Sequence, residues 1–439
     1  MAIWQQVKRL AAETPQERNR YVDLLRAVSI LIVIVGHWLI ATSYYVDGEL
    51  TNGHLLKSHP QTQWLTWIFQ VMPIFFIVGG YSNAVSLESA RRKGIPYAGW
   101  LATRLHRLVA PLLVLVIAWA GIGLVLSLFG TGPDVIQYAS KASLIPTWFL
   151  AIYVMVVILA PVTYRFWRAG GYISVLLIGA GAFVVDFLFF AADLRWLGWS
   201  NYFWVWLTVH QLGYAWRDGR LGSPPVMLTV AVAGFAVLGA MIFLGPYPFA
   251  MVGSPDEGLS NTMPPKATLL ALATLQFGVL LALEQPTRRA LQNIRLWAAV
   301  VLVNTMIMTV YLWHITVMVV VVAILYLVGG FGLGVEPGTT EWWLTRLPWV
   351  VFLMAILVPV ALPMSAFERR GRDPGLPVPS PVRQVVGAML LCLGIAFLAR
   401  YGYGGGPFRH FDLVSFALVV VGSALSGLLA GFLKRSKPG

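Results

Sequence analysis

Long apolar runs, separated by short gaps that carry nearly all of the charge, decide what this chain can become. About 17–25 mostly apolar residues cross the hydrocarbon core of a bilayer as one helix. Runs of that kind can be placed at residues 21–40, 63–87, 108–129, 147–166, 172–191, 199–216, 224–244, 267–284, 348–367, 384–400 and 411–433. Residues 298–328 are too long for one ordinary span and read as an irregular entry followed by a helix through Asn304, Tyr311 and His314. The predicted fold class is an all-α polytopic membrane protein of about 12 transmembrane helices. Composition agrees: 58% of the 439 residues are hydrophobic and 11% charged, against about 25% charged in a soluble domain.

The net charge of +13 would suit a nucleic-acid binder, but its distribution points elsewhere. Of 31 Lys and Arg, 23 fall in the N-terminal tail, the even-numbered loops and the C-terminal tail; seven lie on the other side, and Arg26 is inside the first span. Cytoplasmic loops carry such an excess, so both termini are expected in the cytoplasm and no nucleic acid is expected as a partner. The single Cys392 lies in an apolar run, which excludes an intramolecular disulfide and a Cys-based metal site. The first 20 residues are polar and charged, and the first apolar run is too long and too charged for a signal-peptide core, so it reads as a signal anchor.

The expected organisation is a cytoplasmic tail at 1–20, a membrane core at 21–367, a cytoplasmic linker at 368–383 (GRDPGLPVPSP within it), and two additional helices with a basic tail at 384–439. Residues 43–62 are expected as a polar outer loop, and the five prolines of the 245–266 segment predict an extended, irregular connection. Pro73 is expected to kink the second span, and Gly79-Gly80 permits close helix contact there.

Ionisable groups inside a span are costly and mark candidate sites. Arg26 and His37 are eleven positions apart in the first span, about three turns, and so share one helix face about 16 Å apart along the axis. Asp23 falls near the same stripe. A snorkelling arginine and a hydrogen-bonded packing histidine would explain the pair equally well. Arg104 and Arg107, one turn apart at the start of the third span, read either as flanking topology charge or as a phosphate clamp suited to guanidinium forks. His314, in YLWHI with Tyr311, reads as a helix–helix hydrogen bond or a functional group. Asp186 must face a cavity or a partner that the sequence does not name. No His, Asp or Glu pair has ligand spacing within a span, so no metal is expected. Walker, GxSxG and dinucleotide fingerprints are absent.

These pieces resemble the acyltransferase-3 family of integral membrane proteins. The resemblance rests on DLLRAVSILIVIVGHW with its R-x10-H (Arg26, His37), the R-x-x-R of Arg104 and Arg107, MPIFFIVGGYSNA, PTWFL and YLWHI, and covers most of residues 21–367. It implies O-acyl transfer from cytoplasmic acyl-CoA, the donor substrate, to a hydroxyl of a cell-envelope carbohydrate, lipid or related small molecule in a prokaryotic plasma membrane. His37 would be the general base and Arg26 its catalytic companion. Arg104 and Arg107 would bind the cofactor, with Asp23, Tyr311, His314 and Asp186 as supporting candidates. Membrane lipids are the remaining expected partner. The alternative is a twelve-helix secondary transporter or exporter, whose broken helices and intramembrane Asp186 and His314 would suit alternating access.

Overall fold

The computed structural model describes residues 5, 8–9, 11–15, 18–46, 48–253, 258–369, 371–373, 375–403 and 413–429. Asp47, both flanks of the predicted twelfth span and the basic stretch Lys434–Lys437 lie outside the described residues. The helices are α1 (Arg20–Ile40), α2 (Met72–Arg92), α3 (Tyr97–Leu128), α4 (Pro133–Leu144), α5 (Thr147–Gly170), α6 (Tyr172–Ala191), α7 (Asn201–Arg217), α8 (Pro224–Leu244), α9 (Thr268–Ala282), α10 (Glu284–Ala290), α11 (Ile294–Asn304), α12 (Ile307–Leu327), α13 (Thr340–Arg369), α14 (Pro381–Tyr401) and α15 (Leu413–Leu425). Among the described residues nine stretches are long and apolar enough to cross a membrane, or ten if α9 and α10, bent by 51°, count as one. The predicted sixth span corresponds to α7, whose 17 residues fall outside that set, and the twelfth is described only as the 13 residues of α15, also outside it. The chain is an all-α polytopic membrane protein.

The segments between spans depart from expectation in places. The 245–266 stretch is irregular over its described residues, and the entry to α12 is a separate helix, α11, broken off at Thr305 and Met306. Residues 43–62 are more ordered than a polar loop. Strands β1 (Ala41–Val46) and β2 (Glu49–His54) form a two-stranded sheet, and short helical turns follow at Leu55–Ser58 and Pro60–Thr62. Gly48 makes the hairpin turn with φ +88°, which glycine alone adopts without steric cost. Pro73 does not kink a helix. It occupies the first turn of α2, where its missing N–H would have no intrahelical partner anyway. The chain instead breaks three residues earlier, at Gln70, whose side-chain oxygen accepts the Met72 N–H at 3.2 Å.

The fold divides into two compact units. Unit 1 comprises Met1–Thr42, Asn52–Ser86 and Leu159–Thr305. Within it α8 packs on α9, α7 lies against α6 and α9, and α1 packs on α10 and α11. The face of α1 that meets this core presents Ile30, Ile34 and Trp38, all at most 2% exposed. Asn19 caps α1 by accepting the Tyr21 and Val22 N–H groups, as a side-chain acceptor at a helix start should. The expected close contact at Gly80 is met: a methyl group there would collide with the His210 carbonyl, and one at Gly213 with the Ile77 carbonyl, so α2 and α7 pack backbone to backbone. Beside that contact, Asn83 hydrogen-bonds the buried His210 ring at 3.0 Å.

Unit 2 comprises Ser43–Thr51, Leu87–Ile158 and Met306–Gly439. Here α12 packs against α3, α4 and α13, and α14 against α3, α4 and α15. The first turn of α12 is capped by a distant carboxylate: Glu368 accepts the Met308 and Thr309 N–H groups at 3.1 and 2.9 Å. Helix α4, absent from the sequence expectations, starts at Pro133 with Asp134 in its first turn.

Candidate functional site

Helix α1 is continuous from Arg20 to Ile40, so Arg26 and His37 share a stripe, about 20° apart around the axis, with Asp23 about 60° away from Arg26. The stripe borders the buried face of α1 without being engulfed by it. Asp23 is 5% exposed, while Arg26 and His37 are half-buried. The Asp23 carboxylate is held between two guanidiniums: Arg18 Nε donates to Oδ2 at 2.6 Å and Arg26 Nη1 to Oδ1 at 3.3 Å. Asn304, the last residue of α11, donates to the Asp23 backbone carbonyl at 3.0 Å and fixes that turn. Arg26 Nη2 donates to Ser82 Oγ on α2 at 3.1 Å. An arginine has five N–H donors. The two bonds to Asp23 and Ser82 therefore orient the fork and leave donors for a carbonyl or an anion. His37 lies in the last turn of α1, next to Gly36, where a Cβ would meet nothing within 4 Å. Chemically the stripe offers a fixed cation and, three turns on, an imidazole able to accept or donate a proton.

In unit 2, Arg104 and Arg107 both fall on α3, three residues apart. The helix begins eleven residues before Leu108, immediately after Pro96, so the pair is part of a helix rather than of a loop end. Arg107 is exposed; Arg104 is half-buried, with its guanidinium 5.9 Å from the Trp100 ring centre. His106 turns inward and is buried. Also in unit 2, His314 is fully buried on α12, its Nδ1 donating to the Tyr311 carbonyl at 2.5 Å. That bond fixes the tautomer and leaves Nε2 as the basic nitrogen. Tyr311 donates to the Pro146 carbonyl at 2.8 Å.

Asp186 acquires the partners that the sequence left unnamed, all within unit 1. Asn201 donates to Oδ1 at 2.8 Å; Tyr247 and the Ala267 N–H donate to Oδ2 at 3.1 and 2.7 Å. Tyr247 and Ala267 bracket the irregular segment before α9, so this carboxylate pins that segment to α6. Beside it lies the buried Lys266, its Nζ 3.8 Å from the Phe189 ring centre. Burial draws the Lys266 ammonium below its ordinary pKa, and the Asp186 charge acts in the opposite direction. Burial, then the Asp186 charge, push the Tyr247 phenol up.

The structure therefore joins Asp23 to Arg26 and adds Arg18, Ser82 and Asn304, none of which a one-dimensional reading selects. Arg18 sits in a tail of ordinary topology charges, and Ser82 is a small polar residue in an apolar span. Among the described residues no group of three or more His, Cys, Asp or Glu could hold a metal ion.

No curated protein and no solved structure matches the chain. A family model described as an acyltransferase domain, that of the acyltransferase-3 family, matches residues 19–366, from the cap of α1 to within α13. The match takes in every residue of the α1 stripe, the α3 arginines and the α12 histidine, and stops short of α14 and α15. The chain belongs to the acyltransferase-3 family and is a multi-pass integral membrane enzyme that transfers acyl groups other than amino-acyl groups.

Proposed function

We propose that this enzyme moves an acyl group, acetyl included, from cytoplasmic acyl-CoA to a hydroxyl of a cell-envelope carbohydrate, lipid or related small molecule. His37 acts as the general base. It takes the proton of the acceptor hydroxyl as the oxygen bonds to the thioester carbonyl carbon; the C–S bond then breaks, and the departing thiolate takes up the proton that the imidazole holds. Arg26, about 16 Å back along the same helix face, binds and orients the acyl-CoA donor on its way to the imidazole rather than touching the reacting carbonyl. Arg104 and Arg107 bind the phosphates of the coenzyme. Twelve spans with both termini in the cytoplasm would put these arginines on the side where acyl-CoA is made, and the 23-to-7 division of basic residues supports that orientation.

The observation that carries this reading is the state of Arg26. It is anchored by Asp23 and Ser82 with donors to spare, on the same helix face as His37, in a chain whose family transfers acyl groups. A transporter would need no such thioester chemistry. The deciding experiment is release of free coenzyme A by the purified protein in proteoliposomes. Acetyl-CoA and an envelope extract should give thioester cleavage that depends on the extract, with a new acetyl ester on an extract component seen by mass spectrometry. Transport of the same component without thioester cleavage would overturn the proposal.

A further inference from the structure

We propose that the cavity at the foot of α8, α9 and α10 binds the phosphate headgroup of an anionic membrane lipid. The cavity, within unit 1, has a volume of about 460 Å³, inside the range of about 300–1,000 Å³ typical of small-molecule sites. It exists because α9 does not run straight on. The chain bends by 51° into α10, which carries Arg288 and Arg289 to the same cavity as Met227, in the first turn of α8.

Its walls divide into two chemistries. Met227 and Leu281 give an apolar side, suited to glycerol carbons and the first methylenes of a chain. Arg288, Arg289, Glu284 and Gln292 give a polar side. The charges there do not cancel. Glu284 is already satisfied, accepting from Arg288 at 2.7 and 2.9 Å through one oxygen and from the Trp216 indole at 3.0 Å through the other. Arg289 is exposed and has no hydrogen bond or ion pair among the described residues. The cavity thus carries one net positive charge, on a guanidinium whose fork fits phosphate oxygens.

Topology alone would explain arginines at this end of α9, but it would not require a cavity. An ion such as inorganic phosphate would need the arginine but not the apolar wall. The two together fit an amphiphile with a phosphate, located where α8 begins and α9 ends, at the level where lipid headgroups begin. Basic pockets between transmembrane helices bind acidic lipids in this way. The phosphates of an acyl-CoA share the same chemistry, and the test separates the two sources.

The test is native mass spectrometry of the detergent-purified full chain titrated with phosphatidylglycerol or phosphatidylcholine of identical chains. Wild type, R289Q, R289K and R295Q are compared. Arg295 is an exposed arginine of α11 that does not line the cavity. Phosphatidylglycerol should bind in preference. R289Q should weaken it about fivefold, the worth of one basic residue at an anionic lipid surface, while R289K and R295Q leave it near wild type. Coenzyme A should not displace the lipid. Equal losses in R289Q and R295Q, or no headgroup preference, would reduce the effect to general surface charge and overturn the site. Displacement by coenzyme A would assign the cavity to the donor substrate instead. All three variants lie outside the α1 stripe, so thioester cleavage reports on the acyl-transfer proposal independently.

Discussion

Unit 1 buries two carboxylates of very different character. Asp186 has both oxygens fully engaged by Asn201, Tyr247 and the Ala267 N–H, and it is 1% exposed. Everything around it is protein, so its bonding capacity is spent on holding the 245–266 segment. Asp23 is nearly as deeply placed, yet it binds two arginines, and one of them, Arg26, keeps donors unused on a half-buried face. An intramembrane charge is costly wherever it sits. What separates scaffold from site is whether its hydrogen bonds close on themselves or leave an oriented group over for a ligand.

The largest effect is expected at His37, on the same helix face as Arg26. His37→Gln keeps hydrogen bonding but cannot accept the proton usefully at neutral pH, so turnover in proteoliposomes should fall by about 10²–10⁴ with thermal stability little changed. A packing histidine would instead be worth about 0.6 kcal/mol in a membrane bundle and leave turnover near normal. Next comes Arg26. Arg26→Ala should cost about 10² in turnover, as for loss of a contact that positions the donor. Arg26→Lys should recover part of that, because the charge remains and the fork does not.

Asp186→Asn should invert the pattern. Replacing an acceptor by a donor opposite three donors should cost about 1–3 kcal/mol of stability, read as a lower melting temperature, with turnover per folded molecule retained. A stable Asp186→Asn variant with lost turnover would erase the contrast between the two carboxylates. The smallest effect is expected at Ser82. Ser82→Ala removes one hydrogen bond from the Arg26 guanidinium, on a half-buried face where water can replace the hydroxyl, so turnover should fall only about fivefold, the equivalent of about 1 kcal/mol, and Ser82→Thr should restore it. No change in Ser82→Ala would mean that Asp23 alone fixes the guanidinium.

Much of the fold was legible because hydrophobic thickness sets span length. The ends of α6 and α8 coincide with the expected 172–191 and 224–244. What was hidden follows rules other than hydropathy. The β1–β2 hairpin carried a signal in its Asp47-Gly48 dipeptide between β-prone residues. Helix α4 carried one in Pro133 and Asp134 at its start. Neither is apolar enough to span, so hydropathy does not reveal them. For the site, Arg26 and His37 could be paired from spacing on one helix. Ser82, Asn304 and the partners of Asp186 could not, since each contact joins positions between 15 and 281 residues apart. The single-residue signals were present there, but nothing in one dimension says which polar side chains meet.

The backbone-to-backbone packing of α2 on α7 has a consequence for how the protein is made. Helix α7 has 17 residues and buries Asn201, Thr208, His210 and Gln211, polar groups that a lone segment would have to present to lipid as it leaves the translocon. Gly80 and Gly213 let α2 come close enough for Asn83 to meet His210. Helix α7 therefore relies on an earlier helix to satisfy polar groups that its own hydrophobicity does not cover. A side chain at Gly80, which would push α2 off α7, should therefore lower the yield of protein recovered in the membrane fraction.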